Sequence, residues 1–300
     1  MNNKKYIHFL FSFLLLVVAQ QGITQKGMLV NSDNLRDNHV NLLEQNKPVN
    51  FLKIFPDTTL AELVASRLNK TLADSVTIKE IGNITGEFNC GAFEELSNLT
   101  GIGYLTGITA FNCSKNSVTE LPAEIGNLTN LESLDLGKAF SLNKIPPEIG
   151  KLKRLRYIRI CLTELKELPA EIGDLTNLDT LWIFSNQLKT IPKEIGNLKH
   201  LVSLDIHSNN IGSLPDEICN LTSLVSLNAS HCGLKTLPKN IGNLSKLHSL
   251  NLFNNDLEYL PTSISKLNNL SKLNVLNNYK LSESYKKDLP IVLKEKNSKK

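Results

Sequence analysis

Aromatic residues make up only 6% of this 300-residue chain, with a single Trp, and methionine occurs twice. A large globular enzyme usually draws on a broader set of residues, so this scarcity argues against one. Excess charge is also slight, with 33 Lys and Arg against 29 Asp and Glu, a net +4. A balance that mild excludes a binder of nucleic acid held mainly by electrostatics. No apolar run reaches the ~20 residues that a membrane-spanning helix needs. Also missing are G-x-x-x-x-G-K-[ST], G-x-S-x-G, H-E-x-x-H and paired Cys-x-x-Cys motifs, which carry phosphate, nucleophile and metal chemistry. What abounds is leucine, with 53 residues, and asparagine, with 35. A disordered chain does not carry that much leucine, and a composition so concentrated in two residue types points to a repeat.

The N-terminus reads as an export signal. Met1 to Lys5 is polar with two lysines, and Tyr6 to Ala19 is a nearly unbroken apolar stretch of fourteen residues. Val17 and Ala19 suit a small-residue cleavage site, so residues 1–19 are expected to be removed, leaving Gln20 first. The alternative is an uncleaved anchor. No cysteine follows for a lipid anchor, and Leu289 to Leu293 passes directly into a lysine-rich end without a wall-sorting pattern. The expected location is therefore secreted, or extracellular.

A period of twenty-three runs through the rest. Ile108, Leu131, Leu155, Leu178, Leu201, Leu224, Leu247 and Leu270 are separated by steps of 23, 24 and then five of 23. Apolar residues recur three and five positions after each, as in Leu178, Leu181 and Ile183. This x-L-x-L alternation reads as a short strand with one face buried. The second half of each repeat, such as Ile191, Pro192, Ile195 and Leu198, suits a 3₁₀ or helical return with Pro at its start. Asn116, Asn186, Asn209, Asn255 and Asn278 share the ninth position, where a buried amide can serve backbone groups of neighbouring turns. Thr163 and Cys232 replace it in two repeats. The repeat with the extra residue carries Ala139 or Phe140 there, and a local bulge is expected around Lys138 to Leu142.

An open stack needs caps. Leu60, Leu63, Val64 and Leu68 are spaced for one face of a helix, with Thr59 and Glu62 as a capping-box pair. Phe88-Asn89-Cys90 recurs one period later as Phe111-Asn112-Cys113, which marks a degenerate first rung. Leu289, Ile291, Val292 and Leu293 can close the other end. The expected organisation is a signal peptide at 1–19, a flexible lead at 20–50 and a helical cap at 51–84. Repeats follow at 85–281, then a C-terminal cap and basic tail at 282–300.

The eight L-x-x-L-x-L-x-x-N-x-L units resemble the leucine-rich repeat family, in its 23-residue Leu-Pro-x-x-Ile-x-x-Leu class. Ile54-Phe55-Pro56-Asp57, the Leu60 to Leu68 helix and Leu99 to Thr106 resemble the N-terminal cap and first repeat of bacterial internalin-type proteins. The chain differs from these in using 23-residue repeats with proline. The resemblance implies an α/β horseshoe solenoid of eight to nine rungs, with parallel strands on its concave face. It also implies a secreted bacterial binding protein.

Five cysteines in an exported chain raise the question of disulfides. Cys90 and Cys113 take strand core positions, Cys232 the asparagine position, Cys219 a glycine position, and Cys161 follows a strand core. Buried free thiols are the reading taken, with a Cys90–Cys113 bridge as the alternative. His207, His231 and Asp205 sit near one another in repeat coordinates but without a convergent fourth ligand, so no metal is expected. No cofactor is expected either.

Strand positions two, three, five and seven face away from the core. They hold Glu132 and Asp135, then Arg156, Tyr157 and Arg159, then Trp182 and Phe184, then Asp205 and His207, and later His248 and Phe253. The candidate partner-binding residues are Arg156, Tyr157, Arg159, Trp182, Phe184, Asp205, His207 and Phe253. Trp182 and Arg159 are expected within cation–π reach on adjacent rungs. The function read from this pattern is a non-enzymatic, monomeric binder of a protein partner through the concave face. The alternative is a carbohydrate or cell-wall binder on the same aromatic platform. A leucine-rich effector enzyme would need a catalytic domain, and nineteen residues follow Leu281.

Overall fold

The computed structural model describes residues 46–281. The chain divides into two units, Met1–Lys47 and Pro48–Lys300, and the described fold is that of the second. The export signal, most of the lead and the C-terminal cap and tail lie outside the described residues.

The N-terminal module opens with β1 (Val49–Asn50), which pairs antiparallel with β2 (Ser75–Val76). Between them lie α1 (Phe51–Ile54) and α2 (Thr58–Arg67), and α3 (Ile78–Gly82) follows. Phe51, Ile54, Phe55, Leu60, Val64 and Ile81 form its buried core. The expected Thr59–Glu62 capping box is not what starts α2. Asp57 is its cap, accepting the Leu60 N–H at 3.2 Å. An aspartate one residue before the helix satisfies that amide directly, which leaves Thr59 inside the first turn. The capping box belongs instead to α3, between Thr77 and Glu80.

The same Asp57 ties the cap to the stack. Its other carboxylate oxygen accepts the Ser97 and Asn98 N–H groups at 3.0 and 3.1 Å. Arg67 donates to the carbonyls of Thr85 and Glu87 at 2.9 and 3.0 Å. The cap thus covers the first rung with apolar side chains and holds it with charged hydrogen bonds.

Nine parallel strands, β3 (Gly86–Asn89) to β11 (Lys272–Asn274), form one sheet in sequence order. The elements between are β4 (Ile108–Asn112), β5 (Ser133–Asp135), β6 (Tyr157–Arg159), β7 (Thr180–Trp182), β8 (Ser203–Asp205), β9 (Ser226–Asn228) and β10 (Ser249–Asn251). β3 pairs with β4 through Phe88 and Phe111, as the offset of one period implies, with a register shift at Gly86 and Glu87.

Each strand from β3 to β10 returns through a 3₁₀ turn such as Lys193–Asn197, whose preceding Pro192 carbonyl accepts the Ile195 N–H at 3.1 Å. Proline stands just outside the turn and starts its hydrogen bonding through C=O, so its missing N–H is never needed. Glycines on these turns let successive turns approach closely. A Cβ on Gly173 would lie 2.3 Å from the Glu194 carbonyl oxygen.

Four of the ninth-position amides, Asn186, Asn209, Asn255 and Asn278, bridge neighbouring rungs as expected, whereas Asn116 bonds within its own repeat, to the Cys113 carbonyl and the Val118 N–H. Asn209 donates to the Ile183 and Ile206 carbonyls at 3.0 and 2.8 Å and accepts from the Leu188 N–H at 3.1 Å. One side chain thereby joins two rungs through backbone groups that would otherwise be buried unpaired. Cys232, at the same position, donates its thiol to the Ile206 carbonyl at 3.3 Å. The bulge expected near Lys138 does not break the sheet. Ser133, Leu134 and Asp135 pair in unbroken register with Tyr157, Ile158 and Arg159. The extra residue is absorbed after the strand, where Ala139 fills the core and Phe140 turns outward, 63% exposed.

Candidate functional site

The sheet face away from the core is built from side-chain columns, because parallel in-register strands place equivalent residues one rung apart. One column runs Asp135, Arg159, Trp182, Asp205, Asn228 and Asn251, as the strand register requires. A second runs Tyr157, Thr180, Ser203, Ser226 and Ser249.

The guanidinium of Arg159 goes to Asp135 at 2.9 Å rather than over the Trp182 ring, which corrects the expected cation–π contact. A charge-assisted hydrogen bond to a carboxylate outweighs an exposed cation–π contact of about 0.5–1 kcal/mol. Burial works against the Arg159 charge, yet Asp135 holds its pKa above the ordinary arginine value. Burial, and then the Asp135 charge, raise the Tyr157 phenol.

Trp182 instead meets Tyr157 edge to face, with ring centroids 5.7 Å apart and planes at 72°. Its indole N–H donates to the Ser203 hydroxyl at 3.2 Å. On the next column Phe184 stacks on His207, with centroids 4.5 Å apart and planes at 13°. His207 Nδ1 is 2.6 Å from Asp205 Oδ1, and Asn228 donates to the other Asp205 oxygen at 3.2 Å. Arg156 pairs with Asp179 at 2.9 Å in the open, where such pairs contribute little.

Seven of the eight candidates therefore line rungs β6 to β8. Phe253 does not join them. It lies three rungs from Phe184 and packs edge-on against His231, centroids 5.2 Å apart. Ser203 and Asn228, which hold Trp182 and Asp205 in place, escaped the sequence reading, although their column positions are legible from the period of 23.

Beside Trp182 the face dips into a trough of ≈ 300 Å³, lined by Ser203, Asp205, Ser226, Asn228, Ser249 and Asn251. His207, His231 and Asp205, near one another in repeat coordinates, do not converge. Asp205 holds His207, while His231 meets Phe253 and Asn254. Among the described residues no group of three or more His, Cys, Asp or Glu is placed to hold a metal. All five cysteines are buried free thiols, and burial pushes Cys219 and Cys232 up to about 11. No helix among the described residues is long and apolar enough to cross a membrane.

Nine parallel strands in register, linked by eight 3₁₀ returns and tied by a column of buried asparagines, define a leucine-rich-repeat solenoid. The model described as leucine-rich repeat region matches residues 87–190, 147–231 and 185–294, and the chain belongs to that family. No curated protein sequence matches it. Among solved structures, a leucine-rich-repeat protein of Leptospira interrogans is 32% identical with a TM-score of 0.57, over 63% of this chain and 54% of that one. The plant peptide hormone receptor RGFR1 in complex with RGF2 is 28% identical with a TM-score of 0.49, over 65% and 35%. Internalin C2 of Listeria monocytogenes is 21% identical with a TM-score of 0.48, over 67% and 95%. The chain thus spans about half the length of the Leptospira protein and about a third of the plant receptor.

Proposed function

We propose that the chain is an exported, non-enzymatic binding protein whose concave sheet face takes a protein partner, centred on Trp182. The observation that carries this reading is the Trp182–Tyr157 pair. The only Trp of the chain is half-buried on the sheet face, outside the core, held by a tyrosine ring and a serine hydroxyl. A large aromatic fixed in place before binding loses little conformational freedom on contact, which is what a binding hot spot requires.

Arg159 and Asp135 flank the pair, and Phe184 stacked on His207 extends the apolar area across the next rung. The serine and asparagine trough gives a hydrated polar edge. Aromatic and arginine anchors inside such an edge match the composition of protein–protein interfaces. Trp182 lies outside the core, so truncating it is expected to change folding less than binding.

The test is affinity capture of the partner from culture or host extract, followed by titration with single variants. Trp182→Ala is expected to weaken binding by about 2 kcal/mol or more. Lys193→Ala, on a 3₁₀ return, is expected to leave it unchanged. Loss from Lys193→Ala with Trp182→Ala neutral would move the site to the other side of the solenoid.

A further inference from the structure

A second recess lies on the edge of the stack where the chain leaves the strands, apart from the Trp182 face. It has a volume of ≈ 450 Å³ and crosses the rungs of β8 to β11. Its origin is one residue. Ser117, Glu164, Gln187, Asn210, Asp256 and Tyr279 occupy the tenth position of their repeats, and each projects a side chain there. Gly233 is the equivalent residue in the β9 repeat and has none. A Cβ built on Gly233 would meet only the Asn210 side-chain oxygen, at 3.8 Å, so the space above it is open. Its φ of +67° keeps it open, because most side chains avoid that conformation.

The walls of this notch are polar, its floor is the ladder amides Asn209 and Asn255, and three of the lining side chains are uncommitted. Asn210 stands on one side, and Asp256 and Tyr279 on the other. Tyr279 is 86% exposed, an aromatic face that serves no core. The rim is formed by His231, Asn254 and Asn277, all in the left-handed region with φ of 54°, 53° and 59°. Asn254 donates its amide to His231 Nδ1 at 2.9 Å, which leaves Nε2 as the free nitrogen of that ring. Asn210, Asn277 and Tyr279 make no side-chain hydrogen bond within the described residues. Lys280, beside the notch, is held 3.7 Å from Asp256.

We propose that this edge notch binds a neutral saccharide. The lining offers one carboxylate and no unpaired cation, so an anionic ligand gains nothing there. Three amides, an imidazole and a phenol can donate and accept hydrogen bonds, as neighbouring sugar hydroxyls also do. The exposed Tyr279 ring supplies a flat apolar surface for the C–H face of a pyranose, with its hydroxyl at the wet end. The volume lies within the range of small-ligand pockets, about 300–1,000 Å³. This site is separate from the partner surface proposed above and stands or falls independently of it.

The test is titration of the full chain with neutral mono- and disaccharides of glucose, galactose, mannose and N-acetylglucosamine, read by calorimetry and saturation-transfer NMR. At least one of these sugars is expected to bind. Its affinity should fall tenfold or more in Tyr279→Ala, Asp256→Ala and Gly233→Asn, the last filling the notch with a side chain that tolerates left-handed backbone. Thermal melting of Tyr279→Ala, whose ring is on the surface, should match the parent chain. Trp182→Ala should bind the sugar as the parent does. Failure of every probe to bind at millimolar concentration would overturn the proposal. So would equal affinity in the three notch variants, or loss of sugar binding in Trp182→Ala, which would place saccharide recognition on the sheet face.

Discussion

Tyr157 and Trp182 are neighbours on β6 and β7, their rings 5.7 Å apart at 72°. Tyr157 pairs with Thr180 in the strand register, and Trp182 pairs with Arg159, so the two rings meet on the diagonal between columns. Aromatic pairs prefer this edge-to-face geometry, which is worth about 0.5–1.5 kcal/mol beyond burial.

Because Trp182 is the only Trp in the chain, tryptophan fluorescence reports this site alone. Tyr157→Ala is expected to lower the emission anisotropy of Trp182 and shift its emission to longer wavelength. Tyr157→Phe keeps the ring and is expected to leave both unchanged. Equal spectra in all three chains would mean that Tyr157 does not hold the indole.

The asparagine ladder predicts a large, local loss of stability. Asn255 accepts the Cys232 and Leu234 N–H groups at 3.0 Å each and donates to the Ala229 and Leu252 carbonyls at 2.9 and 3.0 Å. Asn255→Ala leaves these buried groups unpaired and is expected to cost about 3 kcal/mol or more. Asn210→Ala, on the exposed edge, is expected to stay within about 0.5 kcal/mol of the parent. Urea unfolding measures both.

The close stacking of the 3₁₀ returns predicts that glycine there is required by space. Gly173→Ala would drive a methyl into the Glu194 carbonyl, at a distance of 2.3 Å, and is expected to cost about 1–3 kcal/mol. The equivalent position in the β8 repeat is Cys219, and the turn after it is shortened to Ile241–Asn243. That local backbone already accommodates a side chain, so Cys219→Ala is expected to cost about 1 kcal/mol or less.

Two thiols predict an alkaline loss of stability. Burial raises Cys219 and Cys232 from 9.0 to about 11 in the folded chain. The folded state then holds more protons than the unfolded state between these values. Stability is level below 9 and falls as pH rises towards 11, by on the order of 2 kcal/mol per thiol. Urea midpoints at about pH 8 and about pH 10.5 check this against a Cys219→Ala, Cys232→Ala chain, whose fall should be smaller. The same burial makes both thiols slow to react with alkylating reagents until the chain unfolds.

Most of the fold was legible because the core repeats at fixed spacing. Leu178, Leu181 and Ile183 name a strand, and the copy 23 residues on names its neighbour, so the Arg159–Trp182–Asp205 column could be read before any coordinate. Side-chain choices within that column could not. Arg159 could reach either Trp182 or Asp135, and only the placement of the carboxylate decides between them. The start of α2 was misread for a related reason: Asp57 and Thr59 both suit a cap, and the contacts of Asp57 with Ser97 and Asn98 lie forty residues away. Phe253 shares its repeat position with Phe184, yet it stands three rungs further on, outside the cluster. The Gly233 notch was hidden because an absence of side chain carries meaning only once the neighbours at Asn210 and Asp256 are in place.

The central claim is that the sheet face around Trp182 holds the partner, and its most direct measurement is the dissociation constant of the captured partner for Trp182→Ala, Arg159→Ala and Lys193→Ala. The account predicts at least a thirtyfold loss for Trp182→Ala, about 2 kcal/mol, with thermal melting lowered by no more than a few degrees for the lost Tyr157 contact. It predicts a smaller loss for Arg159→Ala, which removes the Asp135 pair, and none for Lys193→Ala. Parental affinity in Trp182→Ala and Arg159→Ala, with loss in Lys193→Ala, would contradict it.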